Sequence, residues 1–362
     1  MERRGPADLL LFFITLVLLA IGLIMVLSAS SYEAMIDYND ALHYFKRQLI
    51  FMALGFVFMF IMMNIKPEFI KGLAVPAMIC CVIMLLLLPI IGVEVGGSKR
   101  WLGTTTVRFA PAEIAKPVVI VFFAMWLSSI GKKNLQTFKG FFYTLLILAV
   151  IPGLVVIEDL GTAIVIAGAL VCMMIAAEVP WKYLGGTMGI GLLGVIGMIV
   201  VKPYRMKRIT AFLDPFADPS NTGYQVVQSL YAIGSGWLFG VGLGASRQKL
   251  FYLPERHTDF IFSIICEELG FVGGSFVILL FAMFIWRGFY IALHLDDKFK
   301  SLTAFGLTAV IGIQAMVNIG VAVGAMPVTG ITLPFISYGG TSLSFMLATV
   351  GFLLNMSRYM RH

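Results

Sequence analysis

Positions 253–262 read Leu-Pro-Glu-Arg-His-Thr-Asp-Phe-Ile-Phe, so Glu255 and Asp259 stand among Arg256 and His257 where a long polar stretch gives way to an apolar one. A carboxylate there can accept a proton, and a neighbouring cation can hold an anion. Ionisable groups at a membrane border are costly to keep and usually mark a pathway, a binding site or a reaction centre. The bland reading is that Thr258 and Asp259 cap the helix that follows, a common use of both residue types. A second group is Gly97-Ser98-Lys99-Arg100-Trp101 with Arg108, Glu113 and Lys116. Here Trp101 reads equally as an interfacial anchor. Glu113 and Lys116, three residues apart, read equally as a structural ion pair inside a bundle. His257, a lone loop histidine, is more simply incidental.

These groups need elements to hold them, and composition says which. Sixty per cent of the 362 residues are hydrophobic and 12% are charged, against about 25% charged in soluble domains. The chain is therefore expected to be an all-α, polytopic integral membrane protein, because backbone polar groups in lipid must be satisfied internally and no strand alternation suggests a barrel. Ten apolar runs approach or reach the length of a span, at about 9–30, 49–65, 72–93, 113–131, 140–157, 160–177, 183–201, 266–287, 301–325 and 333–357. The last two share one uncharged stretch, which Pro327 and Pro334 divide. The first run is too long for a signal-peptide core and reads as a retained span.

The net charge of +7 comes from dispersed cations, so a membrane surface is expected as partner and nucleic acid is not. Arg3, Arg4, Lys132, Lys133, Lys139, Arg287, Lys298, Lys300, Arg358 and Arg361 flank alternate span ends, which the positive-inside rule makes cytoplasmic. Three longer loops then lie outside, at 31–48, 94–112 and from Lys202 to about 262. In the longest, Asp214-Pro215 and Asp218-Pro219 mark turns. The stretch 224–231 reads as an interfacial or re-entrant helix with Gln225, Gln228 and Ser229 on one face and Val227, Leu230 and Tyr231 on the other. Glycines at 234, 236, 240, 242 and 244 follow no strand and precede no Walker lysine, so they do not read as a nucleotide loop. No inverted pair of broken helices of the transporter kind is visible. Cys80, Cys81, Cys172 and Cys266 fall in or beside spans and suggest neither disulfides nor zinc, and no spacing of His, Cys or carboxylates defines a metal site.

Blocks in order along the chain carry a resemblance. They are Lys99-Arg100-Trp101 with Arg108, Pro111-Ala112-Glu113-Ile114-Ala115-Lys116, Asp159-Leu160-Gly161-Thr162-Ala163 and Tyr204-Arg205-Met206-Lys207-Arg208-Ile209. Further on come Gly223-Tyr224-Gln225-Val226-Val227-Gln228-Ser229-Leu230, 253–262, Glu267-Glu268-Leu269-Gly270 and 327–340. In these the sequence resembles the SEDS family of shape, elongation, division and sporulation proteins, the FtsW, RodA and SpoVE group, over essentially its whole length. The block Ser246-Arg247-Gln248-Lys249 and the ending at 354–359 look nearest the FtsW and SpoVE branch. Ala110, Ile157-Glu158 and Trp237 depart from the family pattern.

The resemblance implies one SEDS domain over 1–362, with ten membrane helices, both termini cytoplasmic in the plasma membrane, and a large extracellular loop, 202–262, between helices seven and eight that carries the active site. It implies a peptidoglycan glycosyltransferase that polymerises lipid II, in division or spore-cortex synthesis, with a class B penicillin-binding protein as partner. A sugar hydroxyl would attack an anomeric carbon as a polyprenyl diphosphate leaves. Asp259 matches the family's essential aspartate and would be the general base. Arg108, Lys116 and Lys249 would hold the diphosphate, with Arg205 or Arg208 behind them, and Trp101, Glu255 and His257 would contact substrate. Asp159 would close a tight turn, and 327–340 would line the lipid groove. The reaction would be metal-independent or weakly metal-assisted, and a divalent cation bridging the diphosphate to Asp259 or Glu255 is left open. The rival readings are a lipid II flippase and a non-catalytic scaffold that activates the penicillin-binding partner.

Overall fold

The computed structural model describes residues 5–95, 98–103, 108–135, 137–157, 159–201 and 203–361. Arg3, Arg4, Gly97, Glu158 and Lys202 lie outside the described residues, as do the side chains of Lys132, Lys133 and Tyr204. Each expected apolar run forms a helix: α1 (Leu9–Tyr38), α2 (His43–Asn64), α3 (Pro67–Ile91), α4 (Pro111–Leu135), α5 (Phe138–Val155), α6 (Leu160–Ala176), α7 (Trp181–Val201), α10 (Ile261–Leu293), α11 (Lys298–Ala322) and α12 (Thr341–Ser357). Eight of these are long and apolar enough to cross a bilayer, and α6 and α12, at 17 residues, are shorter apolar helices. Side-chain caps fix several starts: Asp8, Thr137, Asp159 and Asp297 each accept from an N–H in the first turn of the helix they precede.

Two short helices occupy the long loop, α8 (Pro203–Leu213) and α9 (Tyr224–Ser235). The expected faces of α9 are corrected. Ser229 is fully buried, with Oγ within 2.6 Å of both Ser263 Oγ and the Ala322 carbonyl, whereas Tyr231 is exposed. A hydroxyl with two buried partners is satisfied inside, which polarity alone does not reveal. The tenth run is also shortened: α12 begins at Thr341 rather than 333, because 323–340 is non-helical, with Pro334 inside it and positive φ at Gly330, Phe335 and Gly340.

The stretch after α3 was expected to be loop and instead forms a small antiparallel sheet of β1 (Val93–Val95), β2 (Ser98–Gly103) and β3 (Arg108–Phe109), in the order β1-β2-β3. Val93 pairs with Trp101, and Gly103 with Arg108. β1 and β3 are too short to show alternation in sequence, and β2, Ser-Lys-Arg-Trp-Leu-Gly, does not alternate.

α11 is the most enclosed of the eight long spans. At one end of the bundle Arg287 pairs with Asp8 at 2.6 Å, the Gly5 N–H donates to the Arg358 carbonyl, and Lys300 lies 3.7 Å from Glu68. Residues near both termini and the basic ends of α10 and α11 therefore share one face of the membrane protein. Asp259 and its charged neighbours occupy the other.

Candidate active site

Asp259 is the penultimate residue before α10, held by a loop that ties itself to two other segments. The Phe260 and Thr258 N–H groups donate to the Glu255 carbonyl, and Glu255 takes a positive φ of 51° to allow this. Asn318, on α11, donates from Nδ2 to the carbonyls of both Asp259 and Ile331 at 2.7 Å. Ser337 Oγ donates to the Thr258 carbonyl and accepts from the Leu333 N–H. The 323–340 segment is thus pinned alongside the Asp259 loop by a buried amide and a hydroxyl, and loop backbone that would otherwise be orphaned is satisfied.

The cations arrive from elsewhere. At Gly330, where φ is +78°, an added Cβ would lie 3.4 Å from Arg100 Nη1 and 3.6 Å from Asp259 Oδ2, so the guanidinium of β2 and the carboxylate flank the same glycine. Arg100 also lies 3.7 Å from Asp159, which caps α6 through the Thr162 N–H and hydroxyl. Arg208, on α8, donates to the Val328 carbonyl at 3.1 Å. Arg205 turns the other way, donating to carbonyls of Val156, Ile157 and Met198.

Asp259 keeps some solvent contact yet is walled in by protein. Burial first, then the like charge of Glu255, raise its carboxyl to about 7, while Arg100 and Arg208 pull it down and Asp159 pushes it up. A carboxyl titrating near neutrality suits proton transfer in either direction.

The other expected contacts divide. Glu255 is exposed, and its carboxylate accepts from the Thr258 hydroxyl at 2.8 Å. His257 is buried between Tyr44 and Tyr338, with ring centroids 4.8 and 5.6 Å away. Burial first, then Arg256, lower it to about 4 against a raising effect of Glu255, so its imidazole is neutral at pH 7. It lies 3.4 Å from Glu33, whose carboxylate is taken by Arg256 at 2.7 Å.

Lys116 and Lys249 are not brought to Asp259. Lys116 is buried and reaches Glu113 at 2.8 Å and Gln314 at 2.7 Å, while Ser342 donates to Glu113 and Gln314 to the Thr332 carbonyl. This chain of bonds laces α4, α11, α12 and 323–340 together. Lys249 is buried against Glu268 at 3.0 Å and Ser28 at 3.2 Å. Trp101 and Arg108 stand on the sheet, partly exposed, Arg108 on the strand next to the one that carries Arg100. Among the described residues no three His, Cys, Asp or Glu side chains gather as a metal site.

A family model described as "Cell cycle protein", for FtsW, RodA and SpoVE, matches residues 8–362. The chain belongs to the FtsW/RodA/SpoVE family. Stage V sporulation protein E of Bacillus subtilis (strain 168) is 45% identical over 364 aligned positions, covering 99% of each chain. The probable peptidoglycan glycosyltransferase FtsW of Geobacter sp. (strain M18) is 39% identical, covering 100% of this chain and 99% of the relative. Among solved structures, a chain from a peptidoglycan synthase complex, described by its coordination of polymerization and crosslinking, superposes with a TM-score of 0.81 at 29% identity, over 97% of this chain and 98% of that one. The crystal structure of Thermus thermophilus rod shape determining protein RodA superposes with a TM-score of 0.74 at 27% identity, over 98% of each.

In this member of the FtsW/RodA/SpoVE family, Arg100 is the cation that sequence reasoning passed over. It stands in Lys99-Arg100-Trp101, and nothing in the spacing tells that β2 carries residue 100 across to residue 259. Asn318 was missed altogether, since a lone amide in an apolar helix has no signature beyond being polar and buried.

Proposed function

We propose that this chain is a peptidoglycan glycosyltransferase of the plasma membrane that polymerises lipid II. The observation that carries the reading is Asp259: a partly enclosed carboxyl titrating near neutral pH, between Arg100 and Arg208, at one end of a multi-pass helical bundle. The family and the names of its full-length relatives supply the substrate class.

The Asp259 carboxylate takes the proton of an acceptor sugar hydroxyl as that oxygen bonds to the anomeric carbon of the donor. The bond from that carbon to the diphosphate oxygen breaks, and its electron pair departs with the polyprenyl diphosphate. Arg100 and Arg208 are the cations best placed to stabilise that charge, since pre-positioned charge is usually the largest catalytic contribution, and Arg108 stands on the strand paired with β2. Lys116 and Lys249 hold the scaffold instead. A divalent cation, if one takes part, would be held by Asp259 or Glu255 and would supply further positive charge for the diphosphate. The 202–262 loop carries the site on the outer face, the 327–340 segment lines the lipid groove, and both termini are cytoplasmic within a single domain over 1–362. A class B penicillin-binding protein is the partner, by analogy with the synthase complex that this chain resembles.

Purified protein with its penicillin-binding partner, given lipid II, is expected to yield glycan polymer. Transport of lipid II across liposomes without any polymer would overturn the reading. The charge neighbours make a further test. Removing a cation beside an acid raises its pKa, and removing a like charge lowers it. The acid limb of the pH–rate profile is therefore expected to move up in Arg100→Gln and down in Glu255→Gln. Shifts of the same sign in both would remove Asp259 as the titrating base.

A further inference from the structure

Helix α10 is 33 residues long and is interrupted at Gly270, whose φ of 69° and ψ of −168° break the helical path. The loop 236–242 fits into that break. The Phe271 N–H donates to the Trp237 carbonyl at 2.7 Å and the Val272 N–H to the Leu238 carbonyl at 3.1 Å, while Val241 and Gly242 donate to the carbonyls of Glu267 and Glu268. Gly240 closes the turn with a 2.7 Å bond to the Gly236 carbonyl. A Cβ at Gly270 would stand 2.4 Å from both the Gly240 nitrogen and the Leu238 carbonyl oxygen, so the two backbones touch. The groups that the kink frees are thus answered by the loop, the condition under which non-helical backbone is tolerated at membrane depth.

The side chains of this loop go the other way. Trp237 is 82% exposed and Phe239 80%, beside exposed Leu238, Val241, Leu243, Phe271 and Val272. From Ala232 to Ala245 there is no charged residue. Trp237 sits at a φ of 47°, in the left-handed region that bulky residues avoid, at a cost on the order of 1–3 kcal/mol. Its exposure means that packing within the chain does not offset that cost.

Depth supplies the missing partner. Trp286 and Tyr290 stand on α10 close to the Arg287–Asp8 pair, as an interfacial belt at that end. From Tyr290 in that belt to Phe271 is 19 residues, about 28 Å at 1.5 Å per residue, close to the roughly 30 Å hydrocarbon thickness. Trp237, bonded to Phe271, therefore lies at the opposite boundary of the bilayer, on the side of Asp259.

We propose that 236–243 is a wedge seated in the lipid leaflet on the Asp259 side, with Trp237 and Phe239 as its anchors, and that it sets the depth of the catalytic loop. The mechanical link is continuous. Ser246 Oγ and the Arg247 N–H donate to Glu267, Lys249 pairs with Glu268, and these glutamates lead back along α10 to Asp259. The link to catalysis rests on the proposed function, but lipid contact does not, so its measurement is independent of any polymerisation assay.

The test is tryptophan emission in vesicles of brominated phosphatidylcholine, compared with unbrominated vesicles, for the wild type and Trp237→Gly. Glycine suits the backbone at 237, and the variant is expected to unfold no earlier than the wild type in detergent. The emission that Trp237→Gly removes is expected to be quenched by shallow bromines in the lipid and untouched by aqueous iodide. Quenching by iodide instead would place Trp237 in water and overturn the proposal. So would loss of bromine quenching when the penicillin-binding partner is co-reconstituted, because a protein surface and not lipid would then cover the wedge. A single-tryptophan variant that keeps only Trp237 gives the same reading without subtraction.

Discussion

Asp259→Asn is expected to lower lipid II polymerisation by about 10²- to 10⁴-fold, the usual contribution of a positioned general base, while leaving the fold intact and more stable at alkaline pH. The amide keeps the size of the carboxyl but cannot take a proton. Nor does the loop depend on the side chain, because Asn318 holds the Asp259 carbonyl rather than its carboxylate. The stability effect has a definite sign. Burial raises the Asp259 carboxyl from 3.8 to about 7, so between these values the folded state binds more protons than the unfolded one. Stability then falls as pH rises through that window, and the full cost is present above pH 7 and absent below about pH 4. A displacement of this size corresponds to about 4 kcal/mol. Asp259→Asn removes the cost, so its thermal midpoint should exceed that of the wild type at pH 8 and converge with it near pH 4. Parallel profiles for the two proteins would show that Asp259 is not held in a charge-disfavouring site. Polymer made by the variant at the wild-type rate would show that it is not the base.

The second large effect separates a scaffold role from a substrate role for Lys249. Glu268 has no exposed surface, and it accepts from Lys249, Ser28 Oγ and the Ser246 N–H. Glu268→Ala leaves the Lys249 ammonium buried without its counter-charge, a change that typically costs about 3–5 kcal/mol. Replacing both partners, Lys249→Met with Glu268→Leu, removes the stranded charge, and apolar pairs of similar volume are often neutral or better. The double variant should therefore regain most of the lost stability. If Lys249 serves only to clamp the loop onto α10, the double variant also regains polymerisation. A variant that folds as well as the wild type yet stays inactive would return Lys249 to the diphosphate.

Lys116 and Lys249 illustrate what sequence leaves unsaid about a cation's partners. Both sit in blocks rich in charge at span borders, and such blocks look alike whether the charge faces a substrate or a partner. Only the structure shows Lys116 bonded to Glu113 and Gln314, 198 residues away from the latter in the chain, and Lys249 bonded to Ser28, 221 residues away. Arg100 is hidden for the complementary reason: its proximity to Asp259 comes from β2, whose sequence Ser-Lys-Arg-Trp-Leu-Gly does not alternate apolar and polar residues.

The chain's helical membrane architecture was readable from residue order alone, because long uncharged runs in lipid admit one backbone solution, and every expected run does form a helix. Asp259 stands out in the sequence as a candidate, a carboxylate at a border where ionisable groups are costly. What only the folded molecule decided is which charges keep Asp259 company and how the loops close. Those outcomes depend on contacts between residues far apart in sequence, such as Asn318 bridging Asp259 and Ile331 or the loop at 237 filling the break at Gly270. They turn on single hydrogen bonds whose partners have no fixed spacing along the chain.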